Sequence, residues 1–436
     1  MSSLKIVNSS QIKEETISKY IPRGISQLES IRAQVNQIIK EVREQGDKAI
    51  LKFTKTFDNI ELNQKEITVP KEEFTEAYNK IDSGLLKAIK YGKKNLLKFH
   101  SAQKREDWSI EVEKGVIAGQ VYRPIESLGV YIPGGGTLAI YPSTVLMIAA
   151  PAQVAGIQEI IMCTPPQKNK KIPPEILVAA NEFGIKKIFK VGGAQAIAAM
   201  AYGTETIPQV LKVIGPGGVW VNAAKQLLSN TIAIDAPAGP SEILIIGDKS
   251  SDPRYIIVDL ISQLEHDPNN IGIIVSDSQF LINQIKDSID SYVSESRRKD
   301  IIEQALKNNS IIIKANNIED CIRISNLIAP EHLEILTENP SELLKKINNA
   351  GAIFLGPYSP VPLGDYSAGT NHIIPTGGSA KIYSGLNLHD FLKTMDVLKC
   401  DKIGLEKLSE SAFKLAECEG LFAHKKSIEE RLKDKD

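Results

Sequence analysis

From residue 127 onward the chain alternates short apolar runs with small-residue stretches, and this rhythm constrains the fold more than any other feature. SLGVYI reads as a buried strand, TVLMIAAPAQVAG as a helix ending at Gly156, and IQEIIMCT as the next strand. EILVAANEFG is then a helix closed by Gly184, KKIFKVG a third strand, GAQAIAAMAYG another helix, and QVLKVIGPGG a fourth strand. Four strands separated by three helices predict right-handed βαβ units on a parallel sheet. The alternation starts again at SEILIIG, followed by the helix PRYIIVDLISQLEH and the strand NIGIIVSDS, with SIIIKAN, LEILTE and AIFLGPYS as later strands. Two such runs predict two related α/β domains.

The flanking regions differ. The first hundred residues carry helical apolar spacing, with Ile31, Val35, Ile38 and Ile39, then Ile50, Leu51 and Phe53, then Leu85, Ile89, Leu96 and Leu97. Beyond about residue 388 the tail reads as helical and ends in the charged KKSIEERLKDKD. Lys and Arg number 52 against 53 Asp and Glu, so no global field favours nucleic acid or an anionic membrane. Residues 127–158 carry no charge, but Pro133, Pro142, Pro151 and the Gly134–Gly136 triplet mark strand, loop and buried helix rather than a membrane span. Cys163, Cys321, Cys400 and Cys418 form no CxxC pair, which suits buried reduced thiols. The start, MSSLKIVNSS, has no apolar core behind a basic end, so a cytoplasmic protein is expected.

No GxxxxGK[ST] loop occurs, which excludes a P-loop nucleotidase. Gly134, Gly136 and Ala139 fit the looser G-x-G-x-x-A form after the first strand, yet the next strand runs into Thr164–Pro165 instead of an acidic ribose contact. A tight turn alone would need the same glycines. Gly192–Gly193–Ala194–Gln195 and Gly215–Pro216–Gly217–Gly218 add two more glycine-rich strand ends. Three such loops on one sheet favour an anionic or planar ligand, such as a nucleotide cofactor, at its carboxyl edge.

The second half gathers polar groups in apolar or glycine-rich surroundings. Gln263 and His266 share a helix face, a spacing that suits either metal coordination or a helix-end contact. Glu331 and His332 follow Pro330 at a strand approach, as an acid/base pair or a surface pair. Asp365 and His372 lie in LGDYSAGTNHIIPTGG, too polar for a core. Glu419 and His424 are five apart in the C-terminal helix and share a face only if Gly420 bends it. His100 and His389 read as structural or surface histidines.

Taken in order, IDAPAGPSEILII, DLISQLEH, APEHL, GDYSAGTNHIIPT and ECEGLFAH resemble the L-histidinol dehydrogenase family, and LGVYIPGG, VGGAQAIAA and VIGPGG extend the likeness to about residues 20–430. The resemblance implies an α/β fold of two related incomplete Rossmann-like parallel-sheet domains with small helical N- and C-terminal segments. The expected boundaries are an extension at 1–25, a discontinuous first domain at 26–126 plus 240–385, a nucleotide-side domain at 127–239, and a helical segment at 386–436. It implies oxidation of L-histidinol through L-histidinaldehyde to L-histidine, with two NAD used in turn and one zinc ion per subunit. Gln263, His266, Asp365 and His424 match the zinc-ligand positions, and Glu331 and His332 the acid/base pair. Ser241, His372 and Glu419 match substrate contacts, made together with Gln263, His266, His332, Asp365 and His424; Tyr131 and Gln195 match NAD contacts. A homodimer with shared sites is implied, with Glu419 and His424 reaching the partner. One departure stands out: many members read GPGN where this chain has Gly217–Gly218, with Asn222 one helical turn further on.

In the implied chemistry, His332 takes the hydroxyl proton as hydride leaves, and Glu331 activates water for the second oxidation. Zinc would hold the substrate's nitrogens. Two rivals remain open at this point. A zinc hydrolase would turn over without nicotinamide, and a non-catalytic ligand-binding protein would leave the filled metal and acid/base positions without purpose.

Overall fold

A computed structural model describes residues 4–23, 25–134, 140–236 and 239–433, with the side chains of 25–29 left aside. Fourteen strands are described: β1 (Lys5–Asn8), β2 (Trp108–Glu113), β3 (Val116–Pro124), β4 (Ser127–Tyr131), β5 (Glu159–Thr164), β6 (Lys187–Lys190), β7 (Lys212–Ile214), β8 (Ala233–Ile234), β9 (Glu242–Gly247), β10 (Ile271–Ser276), β11 (Ser310–Lys314), β12 (His332–Leu336), β13 (Ala352–Leu355) and β14 (Leu392–Cys400).

They form two parallel sheets and one antiparallel sheet. The five-stranded sheet runs β6-β5-β4-β7-β8 and the six-stranded sheet β1-β11-β10-β9-β12-β13. Counting from β4 in one and β9 in the other, both follow the order 3-2-1-4-5, the Rossmann order without its sixth strand. The expected pair of related, incomplete Rossmann-like units is therefore present. Every residue of β4, β9 and β10 is buried, as strands covered on both faces require.

Local sequence explains the close packing. The Ala-rich helix Gly193–Tyr202 lies so near β4 that a Cβ on Gly129 would stand 2.6 Å from the Met200 sulfur. Helix Pro142–Ala155 opens on Pro142 and closes at Gly156, whose φ of 85° is the left-handed ending that glycine favours.

The helical first hundred residues pack differently from expectation. Val35, Ile38, Ile39 and Val42 share a core with Ile161, Phe189 and Ile197, while Ile89 and Leu96 join Leu128, Val130 and Ile148. These helices thus cover the 127–239 unit, because their apolar stripes complete the faces of the five-stranded sheet, while the helix Ser83–Ser101 also touches the 240–385 unit, Asn95 Nδ2 donating to the Ser367 carbonyl at 2.8 Å. Within the stretch expected as an N-terminal extension, residues 5–8 form β1, which adds to the edge of the six-stranded sheet beside β11. The tail also departs from expectation. LKTMDVLKC is the strand β14, antiparallel to β3, and β2 completes this third sheet. Helices Lys402–Cys418 and Phe422–Lys433 follow. Cys163 and Cys321 are buried thiols, as expected, but Cys400 and Cys418 are exposed. Among the described residues no helix is long and apolar enough to cross a membrane.

Candidate active site

The polar groups of the second half meet at the amino edge of the six-stranded sheet. His332 is the first residue of β12 and Glu242 the first of β9; these neighbouring strands start side by side, with His332 in register with Ile243. Glu242 holds both residues of the Glu331–His332 pair through its backbone. Its N–H donates to Glu331 Oε2 at 2.7 Å, and its carbonyl lies 3.0 Å from His332 Nδ1. The carbonyl can only accept, so Nδ1 carries the ring proton and Nε2 is left as an acceptor. Nε2 is buried and has no hydrogen-bond partner among the described residues.

Burial pushes the His332 pKa down to about 4, so its ring is neutral near pH 7. Burial likewise drives Glu331 well above the usual carboxylate range, and the nearby Glu242 and Asp365 push in the same direction. Ser241 donates a side-chain hydrogen bond to Glu331 and opposes that shift. The 3.7 Å approach of Glu331 Oε2 to His332 Nδ1 is therefore a polar contact and not an ion pair.

Three further elements converge here. Helix Pro253–Leu264 runs back towards this edge and carries Gln263, with His266 just beyond its end. The ring of His266 lies close enough to both His332 and His372 to disfavour their charged forms. Asn270 ties the region together: its Nδ2 donates to the Gln263 carbonyl at 2.8 Å, and its Oδ1 accepts from the Ser241 N–H at 3.2 Å. The short helix Val361–Tyr366 supplies Asp365, whose carboxyl burial raises to about 7. The Asp365 carbonyl lies 3.2 Å from His372 Nδ1, and His372 Nε2 is 3.3 Å from Thr144 Oγ1, on the helix after β4. The Thr144–His372 contact joins the two α/β units at the site. His372 is also held down to about 4 by burial.

A second pole lies at the carboxyl edge of the five-stranded sheet. Tyr131 ends β4, and its buried hydroxyl accepts from the Gly193 N–H at 3.0 Å. Gln195 is 1% exposed and its Oε1 has no partner among the described residues. Gly215, at φ 144°, passes so close to Tyr131 that a Cβ would overlap its carbonyl. Buried Lys225 and Asp235 pair with each other and grip the Gly215 carbonyl and N–H, at 3.0 and 2.9 Å. In the first glycine loop Gly134 is described; Gly136 and Ala139 lie outside the described residues.

Not every expected residue joins. Glu419 caps helix Lys402–Cys418, Gly420 turns the chain at φ 71°, and exposed His424 sits in helix Phe422–Lys433. The tail is therefore two helices, and among the described residues neither Glu419 nor His424 makes a side-chain hydrogen bond or ion pair with the cluster. No group of three or more His, Cys, Asp and Glu side chains able to hold a metal ion occurs among the described residues. The expected ligand set within this stretch reaches three only by counting the Gln263 amide. His100 is structural, buried with its Nδ1 2.9 Å from Gln103 Oε1.

Sequence reasoning passed over Glu242, Arg23 and Asn270. Glu242 is fully buried, and the Arg23 Nε and Nη2 atoms donate to its two carboxylate oxygens, both at 3.0 Å. A lone carboxylate opening the apolar run EILIIG was the available signal.

A doubly wound pair of sheets with a free imidazole acceptor at one edge and glycine-lined strand ends at the other has the build of a nicotinamide-dependent oxidoreductase. Residues 21–432 match the family described as Histidinol dehydrogenase. Histidinol dehydrogenase of Methanocaldococcus jannaschii is 45% identical over 424 residues, 97% of each chain, and that of Clostridium acetobutylicum 47% over 399 residues, 92% of each. The crystal structure of histidinol dehydrogenase from Elizabethkingia anophelis superposes with a TM-score of 0.94 at 40% identity, covering 99% of both chains. The chain belongs to the histidinol dehydrogenase family, NAD-dependent oxidoreductases that catalyse the final steps of histidine biosynthesis.

Proposed function

We propose that this chain oxidises L-histidinol through L-histidinaldehyde to L-histidine at the amino edge of the six-stranded sheet, in the cytoplasm. The observation that carries the reading is the His332 ring: its proton is committed to the Glu242 carbonyl, and its buried Nε2 faces no protein donor. Such a nitrogen is prepared to take a proton from a bound hydroxyl or hydrate.

In the first step His332 Nε2 removes the alcohol proton as the carbon-bound hydrogen leaves as hydride. Bound NAD supplies the hydride acceptor in each oxidation. The aldehyde then needs water: Glu331 beside His332 takes a proton from that water as it adds to the carbonyl, and His332 returns the proton gained in the first step to the carbonyl oxygen, giving the hydrate. Neutral again, His332 Nε2 takes a hydroxyl proton of the hydrate as the second hydride leaves, and the protons pass to solvent. Ser241, hydrogen-bonded to Glu331, and His372, bridging Asp365 and Thr144, orient the substrate. Tyr131 and Gln195 bind the cofactor; the unpartnered Gln195 Oε1 beside the Gly193 turn supports this.

Gln263, His266 and Asp365 fit a zinc site completed by His424 of the partner subunit. The support within this chain is the Asp365 carboxyl, lifted to about 7 by burial with no cation against it among the described residues; amide oxygen, imidazole and carboxylate are donors zinc accepts. Bound zinc would hold the substrate's imidazole and amine nitrogens. A homodimer is part of the same reading. The tail unit leaves Ile110, Val112, Leu398, Leu415 and Phe422 exposed, the last at 67%, an apolar surface of the kind subunit contacts cover. Glu419 and His424 lie on that unit, away from this chain's own site.

The test counts NADH formed per histidinol consumed, with and without prior chelation. Two NADH per histidinol, lost on chelation and restored by zinc, is the expected result; zinc-loaded folded protein that forms no NADH would overturn the reading.

A further inference from the structure

A pair of buried carboxyl groups lies one layer behind the site. Glu334 is two residues after His332, so both side chains stand on the same face of β12. Its Oε1 accepts from the Val361 N–H at 3.0 Å, at the start of the short helix that carries Asp365. Glu334 is fully buried, and its Oε2 has no donor among the described residues. Against it stands Asp259, from the helix that carries Gln263 one turn later, within side-chain hydrogen-bonding reach of Glu334.

Two ionised carboxylates cannot hydrogen-bond, because neither has a donor. Buried together, they coexist only if one is protonated, and both groups are in fact shifted upwards, by burial first. The flanking residues offer no cation. Ile245 of β9 and Phe354 of β13 sit in register with Glu334. The titratable groups on the packed elements are Glu242 at the start of β9, His332 on the same strand face, Arg254 and Tyr255 at the start of the Asp259 helix with Glu265 and His266 at its end, and Asp365 and Tyr366 on the short helix; Arg254 is exposed and paired with Asp252.

We propose that Asp259 and Glu334 share one proton and act as a positioning pair that fixes three elements relative to one another: the helix bearing Gln263 and His266, the strand opening on His332, and the helix bearing Asp365. Neither residue touches substrate. The pair sets where the first layer of the site stands, and the proposal rests on the reading of those residues as the metal and substrate site.

Three variants and one spectrum test it. Glu334→Gln keeps an acceptor for Val361 and supplies a neutral donor to Asp259, so it mimics the protonated partner. Glu334→Leu removes both functions. With Glu334→Gln, the KM for histidinol stays near that of the parent enzyme. With Glu334→Leu it rises about ten- to hundredfold while the KM for NAD holds, the effect of misplaced binding groups. Asp259→Asn behaves like Glu334→Gln. The infrared difference spectrum of parent minus Glu334→Gln at neutral pH shows the carbonyl stretch of a protonated carboxylic acid. If Glu334→Leu fails to fold, the spectrum and the Glu334→Gln kinetics still decide. A difference spectrum without that band, or Glu334→Gln as impaired as the leucine variant would be, overturns the proposal. Absence of NADH from histidinol in the parent enzyme would instead remove the functional reading and leave the infrared result standing.

Discussion

The main chain of Glu242 holds both members of the Glu331–His332 pair, donating to one at 2.7 Å and accepting from the other at 3.0 Å, while its own carboxylate is clasped by Arg23. A residue from the N-terminal stretch thus braces the site from behind. Arg23→Met would leave a fully buried carboxylate without its cation, held only by the Gly377 N–H at 3.1 Å, with burial already pushing Glu242 towards its neutral form. The expected loss of stability is about 3–5 kcal/mol. Chemical denaturation measures it; a midpoint unchanged from the parent would show that the pair contributes nothing.

His332→Ala removes the unpartnered Nε2 and should lower kcat about 10²- to 10⁴-fold with the KM for NAD unchanged. Glu331→Gln separates the half-reactions. With histidinol as substrate the first NADH should form at close to the parent rate, whereas oxidation of supplied histidinaldehyde should be slowed far more. Equal loss in both, read by single-turnover NADH formation, would refute the division of roles.

The buried histidines predict acid sensitivity. His332 lies near 4 in the folded protein against an ordinary value of 6.5, and His100 is lowered too, both by burial. Between these values the unfolded chain binds more protons, so their stabilising share is complete above pH 6.5 and is lost as pH falls towards 4. The buried carboxyls raised by burial, Asp365 to about 7 among them, act in the opposite sense over the same window, so the histidine share is read as a difference between variants. The stability gap between the parent and His100→Gln should shift in favour of His100→Gln as pH falls from 6.5 towards 4, and a gap independent of pH would contradict a neutral buried His100 ring.

Much of this was legible beforehand, for identifiable reasons. The two parallel sheets could be read because fully buried strands such as EILIIG and IGIIVS are continuous apolar runs bounded by turns. The tail strand β14 was not, since LKTMDVLKC is exposed over eight of its nine residues and shows no core-facing pattern. Nor could periodicity assign the first hundred residues to a sheet, because an apolar stripe specifies burial and not the partner. Glu331, His332, Asp365 and His372 stood out as polar groups in apolar surroundings. Asn270 did not, because its role lies in bonds to main-chain atoms of Gln263 and Ser241 that become neighbours only after folding.

The proposed sharing of sites between subunits has a direct test. His332→Ala and His424→Ala should each be inactive alone. Refolded together, mixed dimers contain one site with an intact His332 and an intact partner His424, so about a quarter of parental activity should return, by the two-fold symmetry of such an interface. No recovery in a mixture proven to exchange subunits would rule out completion of the site by the partner.

Gly218 is where the resemblance leads one to expect an asparagine. It stands at the N-cap of helix Val219–Leu228 with an extended backbone that any residue can adopt, and a Cβ there would meet open space. One turn on, Asn222 Nδ2 donates to the Gly217 carbonyl at 2.9 Å, while its buried Oδ1 has no partner among the described residues. Gly218→Asn should therefore be accepted without strain, and asparagine is among the preferred N-cap residues. If the carboxamide reaches the cofactor, it adds one hydrogen bond of about 0.5–1.5 kcal/mol, roughly a two- to tenfold fall in the KM for NAD. The KM for histidinol should hold. A lower KM for NAD would mark Gly218 as a weakened cofactor contact, whereas a higher thermal midpoint with NAD kinetics unchanged would mean that the new side chain only caps the helix.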